Sequence, residues 1–413
     1  MRKSMIMRVG VALGAVAIAL PALSQDLEFW SWRQEDRAQY EALIDTFEAA
    51  NPGITVNFQA HEAANYNTIL STALAGGEGP DVMMVRAHGA FETVAGAGYL
   101  MPIDNTTVPG LDALPAPAVA AETLRADGKV YAVPFASQTM LVIYNTALFE
   151  EHGIEEPATW AELMAAAQKL KDAGVFGFAN GTATAWQNET IVSALGSSII
   201  GKDFYDELMA GTTDFNDPRY VEALAAVKEA SAFFPEGFIG LDYASAQQLF
   251  ASGMAGMFAG GSFELSNFKS QNPDIQLGVF PSPVAAEGDE HLVGLYFDGG
   301  YAGNSTTEHP EAVQKFLSFL ASPEFGQEFA NSLNNVSPIP GVTFENPLLQ
   351  EVAELNKNSI PYIMLVNFRY QEPTGSVLLQ AAVQKMLAGE ATPEQAAAEV
   401  TEGIKTYYEP FQD

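Results

Sequence analysis

Lys129 to Phe149 reads KVYAVPFASQTMLVIYNTALF. Gly128 and Lys129 close a turn, and Val130, Ala132 and Pro134 lead into an extended run that Pro134 keeps out of any helix. Met140 to Tyr144 is continuously apolar with β-branched and aromatic members, the pattern of a strand buried on both faces. Asn145 and Thr146 stop it and can cap the next element. Ser137, Gln138 and Thr139 stand between the two extended pieces. Taken alone, the run fits either an interior strand with a polar kink or a crossover strand between two lobes, with Gln138 at the lip of the cleft.

The chain has 413 residues, too many for one ordinary core, so two lobes are expected. Hydrophobic residues make up 48% and charged residues 17%, the balance of a globular protein. With 51 acidic against 19 basic residues the formal charge is −32, which argues against nucleic acid or anionic membrane as a partner. Such a surface suits solubility in an extracytoplasmic medium. Cysteine is absent, which excludes disulfides, thiol nucleophiles and thiolate metal sites. The histidines, His61, His88, His152, His291 and His309, show no metal-ligand spacing.

The N-terminus carries Arg2, Lys3 and Arg8, then the apolar run Val9 to Leu20, then small residues up to Ser24. That order predicts a secretory signal peptide over residues 1–24, cleaved after Ser24. The apolar run falls short of the roughly 20 residues a membrane span needs. No cysteine offers itself for lipid attachment, so the expected location is the periplasm, with the protein free and not a lipoprotein.

Leu27 to Trp30 reads as the first strand, Glu35 to Ala50 as an amphipathic helix with Tyr40, Leu43, Ile44 and Phe47 on one face, and Ile54 to Gln59 as the second strand. Tyr66 to Ala75 is a further helix, and Pro80-Asp81 introduces the strand Val82 to Val85. This alternation predicts an α/β sheet with helices on both faces, whose ligands bind beyond the carboxyl ends of the strands. Trp30, Trp32, Arg33 and Arg86 stand at such ends; the two tryptophans can equally form a buried corner. Thr159 and Glu162 have the spacing of a capping box, which makes Trp160 a packing residue. Trp186 is read in a polar loop, Thr182 to Asn188. Met254 to Phe258 is read as a strand closing in Ala259-Gly260-Gly261-Ser262-Phe263-Glu264, where glycines let backbone approach a ligand, or simply make a strand-to-helix turn. Leu292 to Phe297 followed by Asp298-Gly299-Gly300 has the look of a second crossover.

Catalysis finds little support. No spacing singles out a carboxylate pair for glycoside hydrolysis, and no nucleophile elbow, phosphate loop or dinucleotide fingerprint stands where it should.

Read in series, Leu27-Glu28-Phe29-Trp30-Ser31-Trp32, Asn51-Pro52-Gly53-Ile54, Gly79-Pro80-Asp81-Val82, Tyr131-Ala132-Val133-Pro134, Ile143-Tyr144-Asn145, Pro157-Ala158-Thr159-Trp160, Gly253-Met254-Ala255-Gly256-Met257, Gly261-Ser262-Phe263 and Ser322-Pro323-Glu324 carry a likeness. The chain resembles the extracellular solute-binding proteins of ABC sugar importers, the group that includes maltose- and maltodextrin-binding proteins. The resemblance favours the crossover. It implies a two-lobed periplasmic binding fold of the maltose-binding type (type II), crossed near Pro134 to Thr139, Tyr296 to Gly300 and Pro338 to Gly341. One lobe would comprise residues 25–136 and 298–340, the other 137–297 and 341–413. It also implies a monomer that passes a sugar to an ABC permease, with no cofactor, metal or catalytic residue.

A sugar is held by aromatic faces and planar polar groups. On the implied fold the aromatic candidates are Trp30, Trp32, Trp186, Phe263, Tyr296 and Tyr370. The polar ones are Arg33, Asp81, Arg86, Gln138, Glu264, Asp298 and Arg369, with Gly261, Ser262 and Gly299 beside them. Phe263 stands where such proteins frequently have tryptophan. Alternatives are an anionic polyol or glycoside, gripped by Arg33, Arg86 and Arg369, and an enzyme acting on a glycoside.

Overall fold

Leu27 and Phe29 alternate inward along the first strand while Glu28 and Trp30 face the other way, the period-2 signature of a half-covered strand. The computed structural model describes residues 25–63 and 65–412; the expected signal peptide lies outside them. The strands in chain order are β1 (Gln25–Ser31), β2 (Ile54–Ala60), β3 (Val82–Val85), β4 (Ala132–Pro134), β5 (Ser137–Asn145), β6 (Phe176–Phe178), β7 (Ala255–Gly261), β8 (Leu277–Phe280), β9 (Val293–Phe297), β10 (Gly300–Gly303) and β11 (Ser359–Pro361).

The described residues form two sheets. One is five-stranded in the order β2-β1-β3-β10-β4, the other six-stranded in the order β11-β9-β5-β7-β6 with β8 also on β5. β1 runs parallel to β2 and β3, and β10 antiparallel to β3 and β4. The helix Arg37–Ala50 returns the chain from β1 to β2 and buries Tyr40, Leu43, Ile44 and Phe47, the stripe expected from sequence. It starts two residues later than read, because Asp36 is held by Arg33. Around the first sheet gather Phe29, Tyr40, Val82 to Val85, Tyr301, Phe316 and Phe325. β5 sends Met140 and Val142 into one cluster and Leu141 and Ile143 into another. It is therefore covered on both faces, as its unbroken apolar run predicts. Asn145 caps the next helix, its side-chain oxygen accepting from the N–H groups of Ala147 and Leu148. Thr159 and Glu162 make the predicted capping box.

The chain passes between sheets at Phe135-Ala136, leaving β4 for β5, and at Asp298-Gly299, leaving β9 for β10. These two crossings are bonded together: the Phe135 N–H donates to Gly299 O at 3.0 Å and the Asp298 N–H to Ala136 O at 3.3 Å. A third segment, between the helices Pro323–Ser332 and Pro347–Leu355, runs alongside; Val336 O accepts from the Ser137 N–H at 2.8 Å. At Gly299 φ is +133°, and a Cβ would stand 2.1 Å from Val85 O, so only glycine fits this bend.

Two readings need correction. Trp186 is the first residue of the helix Trp186–Ile200, not part of a loop. The polar Gln187 and Asn188 that suggested a loop are buried together with Glu189, and Asn188 and Glu189 bond to Gln380. β7 runs on through the glycines to Gly261, and a Cβ at Gly261 would overlap the Phe263 ring. That glycine makes room for the Phe263 ring. The short strand β11 and the helix Ile363–Asn367 had no reading at all.

Candidate functional site

The carboxyl ends of β1 and β3 meet the ends of β7, β9 and β11 across the two bonded crossings. On the first side, Trp32 is 4% exposed and packs edge-on against Tyr66 and Phe135. The Arg86 guanidinium lies 3.9 Å from the centre of the Trp32 ring, with Nη1 3.3 Å from the Asp298 carboxylate. Burial pushes the Asp298 carboxyl above its usual range, and Arg86 opposes the shift. Arg33 is buried, ion-paired to Asp36 and 3.5 Å from Glu35. Trp30 lies higher on the rim, its ring 4.7 Å from that of His61, with its indole N–H buried and unpaired.

On the second side, Glu264 opens the helix Glu264–Gln271. Its oxygens accept from the Tyr243 hydroxyl and from Gln247 Nε2, each at 2.7 Å. Burial pushes its carboxyl up to about 7, with the two hydrogen bonds acting against the shift. Tyr243 meets the Trp186 ring edge-on at 4.7 Å, and Trp186 meets Phe263 at 6.1 Å. The charges of Glu35 and Arg33 act on Tyr243 from the facing wall, so the two walls are within electrostatic reach. Gln138 is 1% exposed; the Ser262 hydroxyl donates to its Oε1 at 3.4 Å, and its Nε2 has no partner. Ser262 itself is pinned to β5, accepting from the Thr139 N–H at 3.1 Å.

Past β9 and β11 the walls touch. Tyr296 is buried, its ring 5.8 Å from His88 and 6.0 Å from Tyr362. The Tyr370 hydroxyl lies 3.3 Å from His88 Nδ1, and Arg125 covers the Tyr370 ring at 3.4 Å. Burial, with Arg369 adding to it, pushes the His88 imidazole down to about 4. At the other end a groove of about 980 Å³ opens, bounded by Glu35 and Asp36, the helix turn Leu265 to Asn267, and Tyr144.

Asp81 belongs elsewhere. It precedes the amino end of β3, accepts from the Glu28 N–H at 3.0 Å and from the Thr307 hydroxyl, and so ties the sheet's opposite edge. Trp32 takes its alternative reading of a buried corner, since Arg86 covers one face and core aromatics meet its edges. Tyr243, Gln247, His88, Glu122 and Arg125 were missed. Tyr243 and Gln247 are four apart on the helix Tyr243–Ala251, and Gln247 interrupts the buried stripe of Ala246 and Phe250. That interruption was the one signal available. Among the described residues no group of three or more His, Cys, Asp or Glu side chains is placed to hold a metal ion.

Comparison with known proteins agrees with this geometry. Residues 30–327 match the family described as bacterial extracellular solute-binding protein. The chain is 25% identical over 327 residues to an ABC transporter extracellular-binding protein of Pyrococcus horikoshii, covering 77% of this chain and 71% of that one. It is 23% identical over 357 residues to the multiple sugar-binding protein of Streptococcus mutans, covering 82% and 81%. Among solved structures, the bacterial solute receptor AcbH, described as having an exclusive preference for β-D-galactopyranose, shares the fold. Its TM-score is 0.78 at 20% identity, covering 93% of this chain and 100% of that one. Two sheets joined by bonded crossings, with polar and aromatic walls between them, accompany a family match over most of the sequence: the chain belongs to the bacterial extracellular solute-binding proteins.

Proposed function

We propose that this protein captures a neutral sugar by closing two lobes over it and delivers it to the transmembrane subunits of an ABC importer. The observation that carries the neutral reading is the pairing of the cleft arginines. Arg33 is matched by Asp36 and Glu35, and Arg86 by Asp298, while Arg369 is tied to Tyr296 first and to the buried Glu189 second, without an ion pair among the described residues. Guanidinium groups already balanced by carboxylates offer directed donors to hydroxyls but no surplus charge for an anion. Unpaired donors such as Gln138 Nε2 and the cluster of Trp186, Tyr243 and Phe263 supply the rest of a sugar's needs. The family is one of solute-binding proteins, not of enzymes, and the relatives' names point to sugars and ABC transport.

The lobes in this reading are 25–136 with 298–340, and 137–297 with 341–413, hinged at the bonded crossings. Closure would supply the differential affinity that a permease recognises. Export through the segment 1–24 to the periplasm, as a monomer, completes the proposal. The family's description is extracellular, and among the described residues no helix is long and apolar enough to cross a membrane.

Thermal melting with galactose, raffinose, maltotriose and galactose 6-phosphate tests this. A neutral sugar at about a hundred times its Kd should stabilise the fold by about 2.7 kcal/mol. Stabilisation by the phosphate ester alone would overturn the neutral reading, and release of a chemically altered sugar would overturn capture.

A further inference from the structure

We infer that Glu122 reads ligand hydroxyls from the floor of the cleft, a role that rests on the sugar-capture reading. Glu122 ends the helix Ala116–Ala121, with its backbone committed to Val119 and Tyr131. Its side chain is fully buried, yet neither carboxyl oxygen has a hydrogen-bond partner. Buried polar groups in native proteins are nearly always paired, and one left unpaired calls for an absent partner. The surroundings say which kind. The carboxyl carbon lies 3.2 Å from where a Cβ on Gly300 would stand, immediately after the second crossing. The Asp298 charge acts on it, and it acts in turn on Tyr296 and Tyr370, all at the meeting of the two walls.

Near this carboxyl lie Asp298 from the crossing, Tyr296 from β9 and Tyr370 beyond β11, and the His88 N–H donates to Ala121 O at 3.0 Å, one residue before Glu122. Arg86 is spent on Asp298 and His88 is held neutral, and among the described residues neither Glu122 oxygen has a cationic or neutral donor within bonding distance. Burial first, and the charge of Asp298 second, push its carboxyl well above the ordinary carboxylate range. A protonated carboxyl has one donor and one acceptor, the pair that a vicinal diol presents in complement. Gly300 has no side chain, and a Cβ there would also stand 2.8 Å from Ala132 Cβ and Val133 O, so only glycine lets the carboxyl sit this close to the second crossing.

Calorimetric titration of galactose, raffinose and maltotriose into wild type, Glu122→Gln and Glu122→Met, with melting curves lacking sugar, tests the assignment. The amide keeps a donor and an acceptor, so Glu122→Gln should bind the preferred sugar within about threefold of wild type. Glu122→Met should weaken binding roughly tenfold or more, while melting without sugar holds or rises because an unpaired buried carboxyl has gone. Wild-type affinity in Glu122→Met would overturn the inference. So would a loss of affinity that merely tracks a fall in melting temperature, the mark of a carboxyl satisfied by structural water. If no sugar in the set binds the wild type, the sugar-capture reading falls and takes this one with it.

Discussion

The Arg125 guanidinium lies 3.4 Å from the centre of the Tyr370 ring, joining a residue just before β4 to one beyond β11. Glu92 holds Arg125 from behind through two hydrogen bonds, at 2.6 and 2.9 Å. The pair therefore bridges the walls opposite the crossings and belongs to the closed arrangement. Arg125→Ala should weaken sugar binding by about 1 kcal/mol and reduce the contraction that sugar produces in solution scattering. An unchanged scattering profile and unchanged affinity would show that the contact has no part in closure.

Gly89 gives the same boundary a steric edge. A Cβ there would stand 1.9 Å from the carbonyl oxygen of Arg369, a contact across the cleft that no side-chain rotation relieves. Gly89→Val should leave the melting temperature without sugar near wild type, as expected of lobes that part when no sugar is bound. It should abolish the contraction that ligand produces in scattering and cut affinity at least tenfold, equivalent to about 1.4 kcal/mol. A variant that contracts normally would mean that these walls do not meet when sugar binds.

Much of this arrangement could be read along the chain, and the parts that could not share a cause. Helices with one apolar stripe, the caps at Asn145 and Thr159, and the crossing after Pro134 depend on neighbours in sequence, and periodicity and proline report those directly. Trp186 was misplaced because the polar run after it looked solvated, whereas it packs against the helix Gly375–Leu387, nearly two hundred residues on. Asp81 was misassigned because a carboxylate beside a strand does not say which end of the sheet it faces. Glu122 and Arg125 lie in a stretch that carries no motif, and their surroundings, Gly300 for one and Glu92 with Tyr370 for the other, come from elsewhere in the chain.

The pH dependence should carry two opposite slopes. Glu264 titrates at about 7 when folded, against about 4.3 in an unfolded chain. The folded state therefore binds the extra proton between those values, and stability falls as pH rises from about 4 to about 7. His88 is pushed down to about 4 from an ordinary value of about 6.5. There the unfolded chain binds the proton, so that contribution is complete above about 6.5 and is lost as pH falls toward 4. Glu264→Gln should remove the first slope and leave stability declining only on the acid side. Melting curves from pH 4 to 8 that stay parallel for wild type and variant would contradict the burial of a protonated Glu264.

The aromatic residues divide by which faces remain open. Trp32 is enclosed by Tyr66, Phe135 and the Arg86 guanidinium, so Trp32→Ala should act as a core deletion, destabilising by about 3–5 kcal/mol. Trp186 is only partly buried; Tyr243 and Phe263 meet it edge-on, which leaves ring surface for a pyranose. Trp186→Ala should therefore weaken sugar binding by about 1–3 kcal/mol with a smaller effect on melting without ligand. Measuring both quantities for both variants separates the roles. Were Trp186→Ala to lower stability while binding sugar as wild type does, the stacking surface would have to be sought at Trp30 on the rim, whose indole N–H is still unpaired.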